Sequence, residues 1–209
     1  MDERVIKGDA CVIEGAEWLA SYDPRFKAAW EETGPLPLRL KPEGFDQLLN
    51  AIIGQQVSVA SANAIWARME GLGLTSEDNI AKATDDELRA AGLSGQKMRY
   101  ARALAAERID YEALRAMSSD DVIKTLTKVT GIGQWTAEIY AMFSLGRADV
   151  FAHGDLALQE AARILLDLPE RPKEKQMRII AADWSPWRSV AARVLWAYYR
   201  VAKAREGIR

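Results

Sequence analysis

Cysteine, histidine and long apolar runs are scarce in this 209-residue sequence, and each scarcity excludes a class of protein. Cys11 is the only cysteine, which excludes an internal disulfide and a site in which cysteines alone bind zinc or an iron–sulfur cluster. His153 is the only histidine, which limits any histidine-rich metal site. No apolar run is long enough to cross a bilayer, and no basic-then-apolar signal pattern begins the chain. The sequence therefore predicts a cytoplasmic protein without a membrane span.

A strong excess of one charge is also missing, since 28 Lys and Arg stand against 30 Asp and Glu, a formal net charge of −2. A basic coat over the whole surface is excluded, so any contact with phosphate must be local. The chain does contain 49% hydrophobic and 28% charged residues, the balance of an ordinary globular protein. Such a composition buries enough apolar surface to offset the entropy of ordering the chain, and we expect a folded protein.

Helical patterns and helix start signals follow one another along the chain. The clearest apolar face has the i, i+3, i+4, i+7, i+8 spacing of a half-buried helix and consists of Phe45, Leu48, Leu49, Ile52 and Ile53. Helix starts are predicted at Asp23-Pro24, at the capping box Thr84–Glu87, at Ser118 or Ser119, at Asp155 and at Ser185-Pro186. No segment alternates with period 2 over a convincing length, so the predicted fold class is all-α.

Three prolines and two glycines between Gly34 and Gly44 mark a connector, and therefore a candidate subdomain boundary. We predict one helical subdomain at residues 45–145 and a second that combines residues 1–44 with 146–209. The first would contain two helices joined by a glycine turn, a helix-hairpin-helix, at about residues 119–145.

The glycine turn Gly131-Ile132-Gly133 precedes a predicted helix at Gln134. Glycines let a backbone turn sharply and approach a ligand, and the free N–H groups of a helix N-terminus favour an anion such as phosphate. A plain turn between two helices without a ligand is an equally open interpretation at this point.

An acidic residue, Asp155, follows Gly133 by 22 positions and stands just before an apolar-periodic run. Aspartate is a favoured N-cap, so on its own this residue is better interpreted as a cap than as a catalytic group. The neighbouring His153 is interpreted as a loop residue, with a proton shuttle or a phosphate contact as the alternative.

Taken together, these segments resemble the helix-hairpin-helix DNA glycosylase superfamily, and within it the 3-methyladenine DNA glycosylase II family of alkylation repair. The resemblance spans about Phe45 to Tyr199. It is carried by residues 51–58 (AIIGQQVS), 131–137 (GIGQWTA), Asp149-Val150-Phe151 with Gly154-Asp155, and 184–189 (WSPWRS).

The resemblance implies two helical subdomains flanking an active-site cleft, and excision of an alkylated base by base flipping and hydrolysis of the N-glycosidic bond. Asp155 would be the catalytic carboxylate, which stabilises the developing cation on the sugar and positions or deprotonates the attacking water. Trp135 stands where bifunctional members carry a nucleophilic lysine, so we expect base release without lyase activity.

The resemblance also implies the remaining site residues. The base pocket would contain Trp135 and Trp196, and also Trp187, for which packing is favoured over contact with the base. For the first two, a place in the protein core is the alternative. Double-stranded DNA would contact Gln55, Gln56, Gly131, Gly133, Gln134, Thr136 and Arg188. Gln56 would fill the gap left by the flipped base, and a salt bridge is the alternative for Arg188.

A basic helix face is formed by Lys97, Arg99 and Arg102. We interpret it as a solvated face, because charged side chains on an amphipathic helix normally point to water. Contact with the DNA backbone is the alternative.

No cofactor is required by this prediction, and no iron–sulfur cluster is expected. A monovalent cation, Na⁺ or K⁺, would be held by the backbone carbonyls of Thr127, Val129 and Ile132. The protein is expected to act as a monomer. Two alternatives remain: a non-catalytic helix-hairpin-helix DNA-binding module, and a hydrolase built on His153 and Asp155. The second of these lacks a nucleophile.

Overall fold

The computed structural model describes residues 3–205, and within them the regular structure is helical. The one β contact in this range is an isolated antiparallel bridge between Val5 and Arg147. The predicted all-α class is confirmed. In chain order the helices are α1 (Asp9–Tyr22), α2 (Pro24–Thr33), α3 (Phe45–Gly54), α4 (Val59–Gly71), α5 (Glu77–Lys82), α6 (Asp85–Ala90), α7 (Gly95–Glu107), α8 (Tyr111–Ala116), α9 (Ser119–Leu126), α10 (Gln134–Phe143), α11 (Leu156–Leu165), α12 (Glu174–Ala182) and α13 (Arg188–Arg205).

Local capping explains where most of these helices begin. The carboxylate of Asp23 accepts from the N–H of Arg25, with Pro24 as the first helical residue of α2. Thr84 and Glu87 form the predicted capping box of α6. Of the two serines considered for α9, Ser118 is the cap. These start signals are confirmed because each satisfies a backbone N–H that the first helical turn leaves unpaired.

The predicted start of the last helix at Ser185-Pro186 is wrong, since α13 begins at Arg188. The Ser185 hydroxyl donates to Oδ2 of Asp149 at 2.8 Å, far away in the sequence, and does not cap a helix. The Ser185 side chain therefore forms a tertiary contact, whereas the local pattern predicted that it would cap a helix.

One compact unit comprises the described residues up to Leu40 and from Ala141 onward. In this unit α13 packs against α11, α2 and α1. The edge of Phe26 meets Trp184, with ring centroids 5.3 Å apart. Gly15 lets α1 approach Trp187 and Val190 closely, because a Cβ on Gly15 would lie only 2.7 Å from the side chain of each.

The second compact unit comprises residues 41–140. In it α3 packs against α4 and α7, and α7 also packs against α5 and α6. The apolar face predicted for α3 is confirmed, since all five of its residues are buried.

The unit boundaries differ by four or five residues from the predicted ones, which lay before residue 45 and after residue 145. The residues just before α3 pack within the second unit, where the N–H of Gly44 donates to the Tyr140 hydroxyl at 2.9 Å. The other boundary falls inside α10, where no break in sequence pattern marks it. No helix in the described range is both long enough and apolar enough to span a membrane.

Candidate DNA-binding and catalytic site

The hairpin is the turn between α9 and α10, and it depends on Gly131. This residue has a φ of +101°, and a Cβ on it would lie 2.4 Å from Cγ of Tyr100. The turn is closed by the N–H of Ile132, which donates to the carbonyl of Val129 at 3.0 Å. A glycine is therefore required here by both conformation and space.

Gly133 has different surroundings. It is exposed, and a Cβ on it would have no neighbour within 4 Å. It stands directly before α10, whose first-turn N–H groups belong to Gln134, Trp135 and Thr136. An anion can thus reach this end of the helix without displacing a side chain of the same turn.

The first three side chains of α10 differ in their exposure and contacts. Trp135 is 48% exposed, so the interpretation of this residue as a core tryptophan is wrong. The amide of Gln134 donates to Glu138 at 2.9 Å, one turn further along. Thr136 is buried, so the contact with DNA predicted for this residue depends on its backbone N–H.

A second segment of the same unit, the turn after α3, lies against the hairpin. The amide nitrogen of Gln55 donates to the carbonyl of Gly131 at 2.9 Å, which supports the hairpin. Gln56 is exposed and has a left-handed backbone, with a φ of +56°. Such a conformation is uncommon for a residue with a side chain, which makes Gln56 a candidate functional position.

Helix α7 supports both the turn and the hairpin. The buried Lys97 ammonium donates to the carbonyl of Ile53 at the end of α3, and burial lowers the pKa of this lysine. The interpretation of Lys97 as part of a solvated basic face is therefore wrong. The side chains of Gln55, Gln56 and Tyr100 line a cavity of about 270 Å³ beside α7.

Asp155 is the N-cap of α11. Its Oδ1 accepts from the N–H groups of Ala157 and Leu158, at 2.9 and 3.0 Å. The capping interpretation is thus confirmed, and it is compatible with catalysis because the cap holds the carboxylate in one orientation. The preceding His153 is buried, with its ring 5.3 Å from that of Phe151.

The other two predicted aromatic residues differ in exposure. Trp187 is 2% exposed, packs close to Gly15 and has the Arg4 guanidinium 4.7 Å from its ring centroid. These packing contacts are sufficient to explain the position of Trp187. Trp196 is half-buried and contacts Phe143, with ring centroids 5.8 Å apart.

Arg188 forms the predicted alternative, a salt bridge. Its Nε and Nη2 donate to the two carboxylate oxygens of Asp149 at 2.7 and 2.9 Å. Asp149 also accepts from Ser185, so Arg188 braces the segment that leads into α13.

The carbonyls of Thr127, Val129 and Ile132 all belong to the hairpin turn. The Val129 oxygen already accepts one N–H, which leaves one lone pair for a cation. Among residues 3–205, no group of three or more His, Cys, Asp or Glu side chains is arranged to hold a metal ion.

The residues predicted for the site do not all belong to the same unit. Residues 41–140 contain Gln55, Gln56, the hairpin and Trp135, whereas Asp155 and Trp196 belong to the other unit. Sequence patterns did not indicate the supporting roles of Lys97 and Tyr100, because the spacing of α7 alone does not reveal which of its residues contact α3 and the hairpin.

This helical fold is found in a class of DNA repair proteins. Residues 49–186 match the HhH-GPD superfamily of base excision DNA repair proteins, and the chain belongs to that superfamily.

Individual relatives agree with this assignment. The solved structure of a DNA-3-methyladenine glycosidase from Bacillus halodurans is 32% identical, with a TM-score of 0.82 over 98% of this chain and 95% of that one. The Schizosaccharomyces pombe 3-methyladenine DNA glycosylase, solved in complex with abasic DNA, is 27% identical, with a TM-score of 0.76 over 91% and 97% of the two chains. The curated DNA-3-methyladenine glycosylase 1 of Schizosaccharomyces pombe is 29% identical over 81% of this chain and 78% of its own length.

Proposed function

We propose that this protein is a monofunctional DNA glycosylase that excises alkylated bases such as 3-methyladenine in base excision repair. The observation that carries the proposal is Asp155, a carboxylate fixed by two N–H groups at the start of α11. It lies within the residues that match the superfamily. Three relatives whose names specify 3-methyladenine support the choice of alkylated bases.

The chemistry starts from an alkylated purine that already carries a positive charge and leaves as a neutral base, so no strong general acid is required. As the N-glycosidic bond breaks, positive charge develops on the sugar, and the Asp155 carboxylate stabilises it. The same carboxylate orients or deprotonates the water that attacks the sugar. The cap bonds fix the carboxylate before the substrate arrives, which lowers the reorganisation that the reaction requires.

Trp135 supplies an exposed electron-rich ring at the start of α10. A cationic alkylated base stacks favourably on such a ring. The indole has no nucleophilic nitrogen and forms no Schiff base, so we propose base release without strand cleavage.

Double-stranded DNA with a damaged base is the proposed partner. The hairpin would bind a backbone phosphate at the N-terminus of α10, and Gln56 would fill the gap left by the flipped base, where its amide can bond with the orphaned partner base. The carbonyls of Thr127, Val129 and Ile132 would hold Na⁺ or K⁺ beside the same phosphate. We propose a monomer that needs no other cofactor.

The first experiment compares Asp155→Asn with wild type on duplex DNA treated with a methylating agent. Asparagine still caps the helix, so the change removes the charge while preserving the fold. We expect base release to fall by at least about 100-fold, with DNA binding kept or tightened because a negative charge is removed. Asp110→Asn is the matched control, since Asp110 caps α8 through the N–H of Ala113 and should release bases normally.

Two further observations belong to this experiment. Strand breaks should appear only after alkali, and borohydride should trap no covalent enzyme–DNA complex. Good DNA binding with no base release from any methylated, deaminated or etheno substrate would identify a DNA-binding module instead.

A further inference from the structure

Three arginines gather around one face of α13 with no acid among them. Arg193 lies three residues before Trp196, and Arg200 lies four residues after it. These three residues of α13 therefore share one face of the helix. The Arg39 guanidinium, from the connector before α3, lies over the Trp196 ring, 5.7 Å from its centroid.

The arginines repel one another. Burial, followed by the charge of Arg200, lowers the pKa of Arg39. Burial, followed by the charge of Arg39, lowers the pKa of Arg193 to about 10. Within residues 3–205, the side chains of Arg39 and Arg200 form neither a hydrogen bond nor an ion pair. Most other arginines among the described residues form a salt bridge with an acid, so this concentration of positive charge is unusual here.

The fold holds the arginines in this arrangement. Arg193 is 1% exposed, and its Nη2 and Nε donate to the carbonyl of Leu38 at 2.9 and 3.3 Å, which anchors the connector next to Arg39. Arg193 also lies over the ring of Phe143, which contacts Trp196. Arg39 itself has a φ of +57°, a costly conformation for a residue with a side chain. Repulsion and backbone strain are both maintained, which is expected where a ligand compensates for them.

We propose that Arg39 and Arg200, supported by the Trp196 ring, form a phosphate-binding site that takes one backbone phosphate of bound DNA. Arg39 and Arg200 are both partly open to solvent, and their guanidiniums offer forked donors that match the oxygens of a phosphate. The aromatic ring limits the motion of Arg39. This site lies in the unit of Asp155 and is separate in sequence from the hairpin. The choice of DNA as the source of the phosphate rests on the proposed function.

The test uses the full-length variants Arg39→Gln, Arg200→Gln and the double variant, with Arg171→Gln as the control. Arg171 is exposed and lies in the same unit, and its charge acts on Glu160 and not on Arg39. Binding to undamaged and to abasic duplexes is measured over a range of salt concentrations. In the double variant we expect the magnitude of the slope of log K against log salt to fall by about 0.9, the value for one phosphate that the protein no longer neutralises. Each single variant keeps one guanidinium on that phosphate, so its slope should fall by less, and Arg171→Gln should match wild type.

A second measurement separates binding from structural support. Removing either charge relieves repulsion, so thermal unfolding of Arg39→Gln and Arg200→Gln should occur at or above the wild-type temperature while DNA binding weakens. Unfolding below that temperature would point to a structural role and would contradict the proposal. An unchanged salt slope would also contradict it, as would a weakening confined to one damaged base, which would indicate contact with the base.

Inorganic phosphate distinguishes the source of the anion. At equal ionic strength it should compete with DNA for wild type more strongly than chloride does, and the difference should disappear in the double variant. A different result would be calorimetry in which inorganic phosphate binds to wild type but not to Arg39→Gln, while the two proteins bind DNA equally well. That result would identify a site for free anions and overturn the assignment to DNA. Base release is measured in a separate assay. If the protein releases no base but shows the expected salt slopes, the proposed function is refuted and the phosphate-binding site is retained.

Discussion

At the scale of single residues, two glycines of the same hairpin turn have different tasks. Gly131 combines a positive φ with the Tyr100 ring packed against it, whereas Gly133 has open space where a Cβ would be. The first is required for the turn to form at all. The second keeps the end of α10 accessible to a ligand.

Replacing Gly131 by alanine should therefore destabilise the protein, by about 2 kcal/mol or more, through backbone strain and a clash with Tyr100. Gly133→Ala is the control and should unfold within about 0.5 kcal/mol of wild type, but it should weaken DNA binding. Urea unfolding and duplex binding measure the two effects. Equal stability of the two variants would contradict the packing seen around Gly131.

Tyr140 makes stability depend on alkaline pH. Burial raises the pKa of its hydroxyl to about 12, although the N–H donated by Gly44 lowers it in part. Between pH 10 and about 12 the unfolded chain loses this proton while the folded chain keeps it, so stability falls as pH rises. A shift of this size corresponds to about 2–3 kcal/mol across that window.

Tyr140→Phe should remove that portion of the pH dependence and cost about 1 kcal/mol at neutral pH, because Gly44 loses its acceptor. Other groups titrate in the same range, so the measurement is the difference between the variant and wild type in urea unfolding at pH 8 and pH 11. Tyr22→Phe, at an exposed position, is the control. Parallel pH profiles for wild type and Tyr140→Phe would refute the assignment.

At the scale of helices, packing depends on where small residues allow close approach. Gly15 brings α1 against Trp187 and Val190, and this contact fixes the start of α13 within its unit. Large apolar side chains, such as Leu19 of α1 and Phe26 of α2, are buried, and their burial stabilises this packing.

Gly15→Ala should lower the free energy of unfolding by about 1–3 kcal/mol, because the added methyl would overlap the Trp187 ring. Gly54→Ala is the matched control, since it is also helical but has no neighbour within 4 Å. Alanine there should leave stability unchanged or raise it by up to about 1 kcal/mol. A similar decrease in both variants would mean that α1 does not pack as described.

At the scale of the whole molecule, charge decides how DNA is bound. The net charge is −2, and many arginines are paired with acids, for example Arg25, Arg102 and Arg108. Our proposals therefore assign DNA binding to a few local contacts: the hairpin, and the pair formed by Arg39 and Arg200.

We expect a shallow salt dependence, with a slope of log K against log salt corresponding to fewer than about five phosphates. Wild-type binding to an undamaged duplex over a salt series measures it. Asp155→Asn, which removes one negative charge, should bind at least as tightly at every salt concentration. A slope near that of a strongly basic DNA-binding protein would contradict this picture.

The sequence by itself determined the helical class, the glycine hairpin and most of the helix starts that it predicted. It also determined that Asp155 caps a helix and that Trp135 lies in the first turn of one. These features depend on neighbours within a few residues: a capping side chain satisfies nearby N–H groups, and an apolar face follows from spacing along one helix. The structure confirmed the caps at Asp23, Thr84 and Ser118 for this reason.

Only the tertiary structure decided the burial of Lys97, the bond from Gln55 to Gly131, the late start of α13 and the place of Arg39 over Trp196. Each joins residues far apart in the chain, and a local pattern does not encode which distant group a side chain meets. Lys97 shows the reason most clearly. A lysine on an amphipathic helix is normally solvated, but here the carbonyl at the end of α3 offers an acceptor that only the packed fold brings within reach.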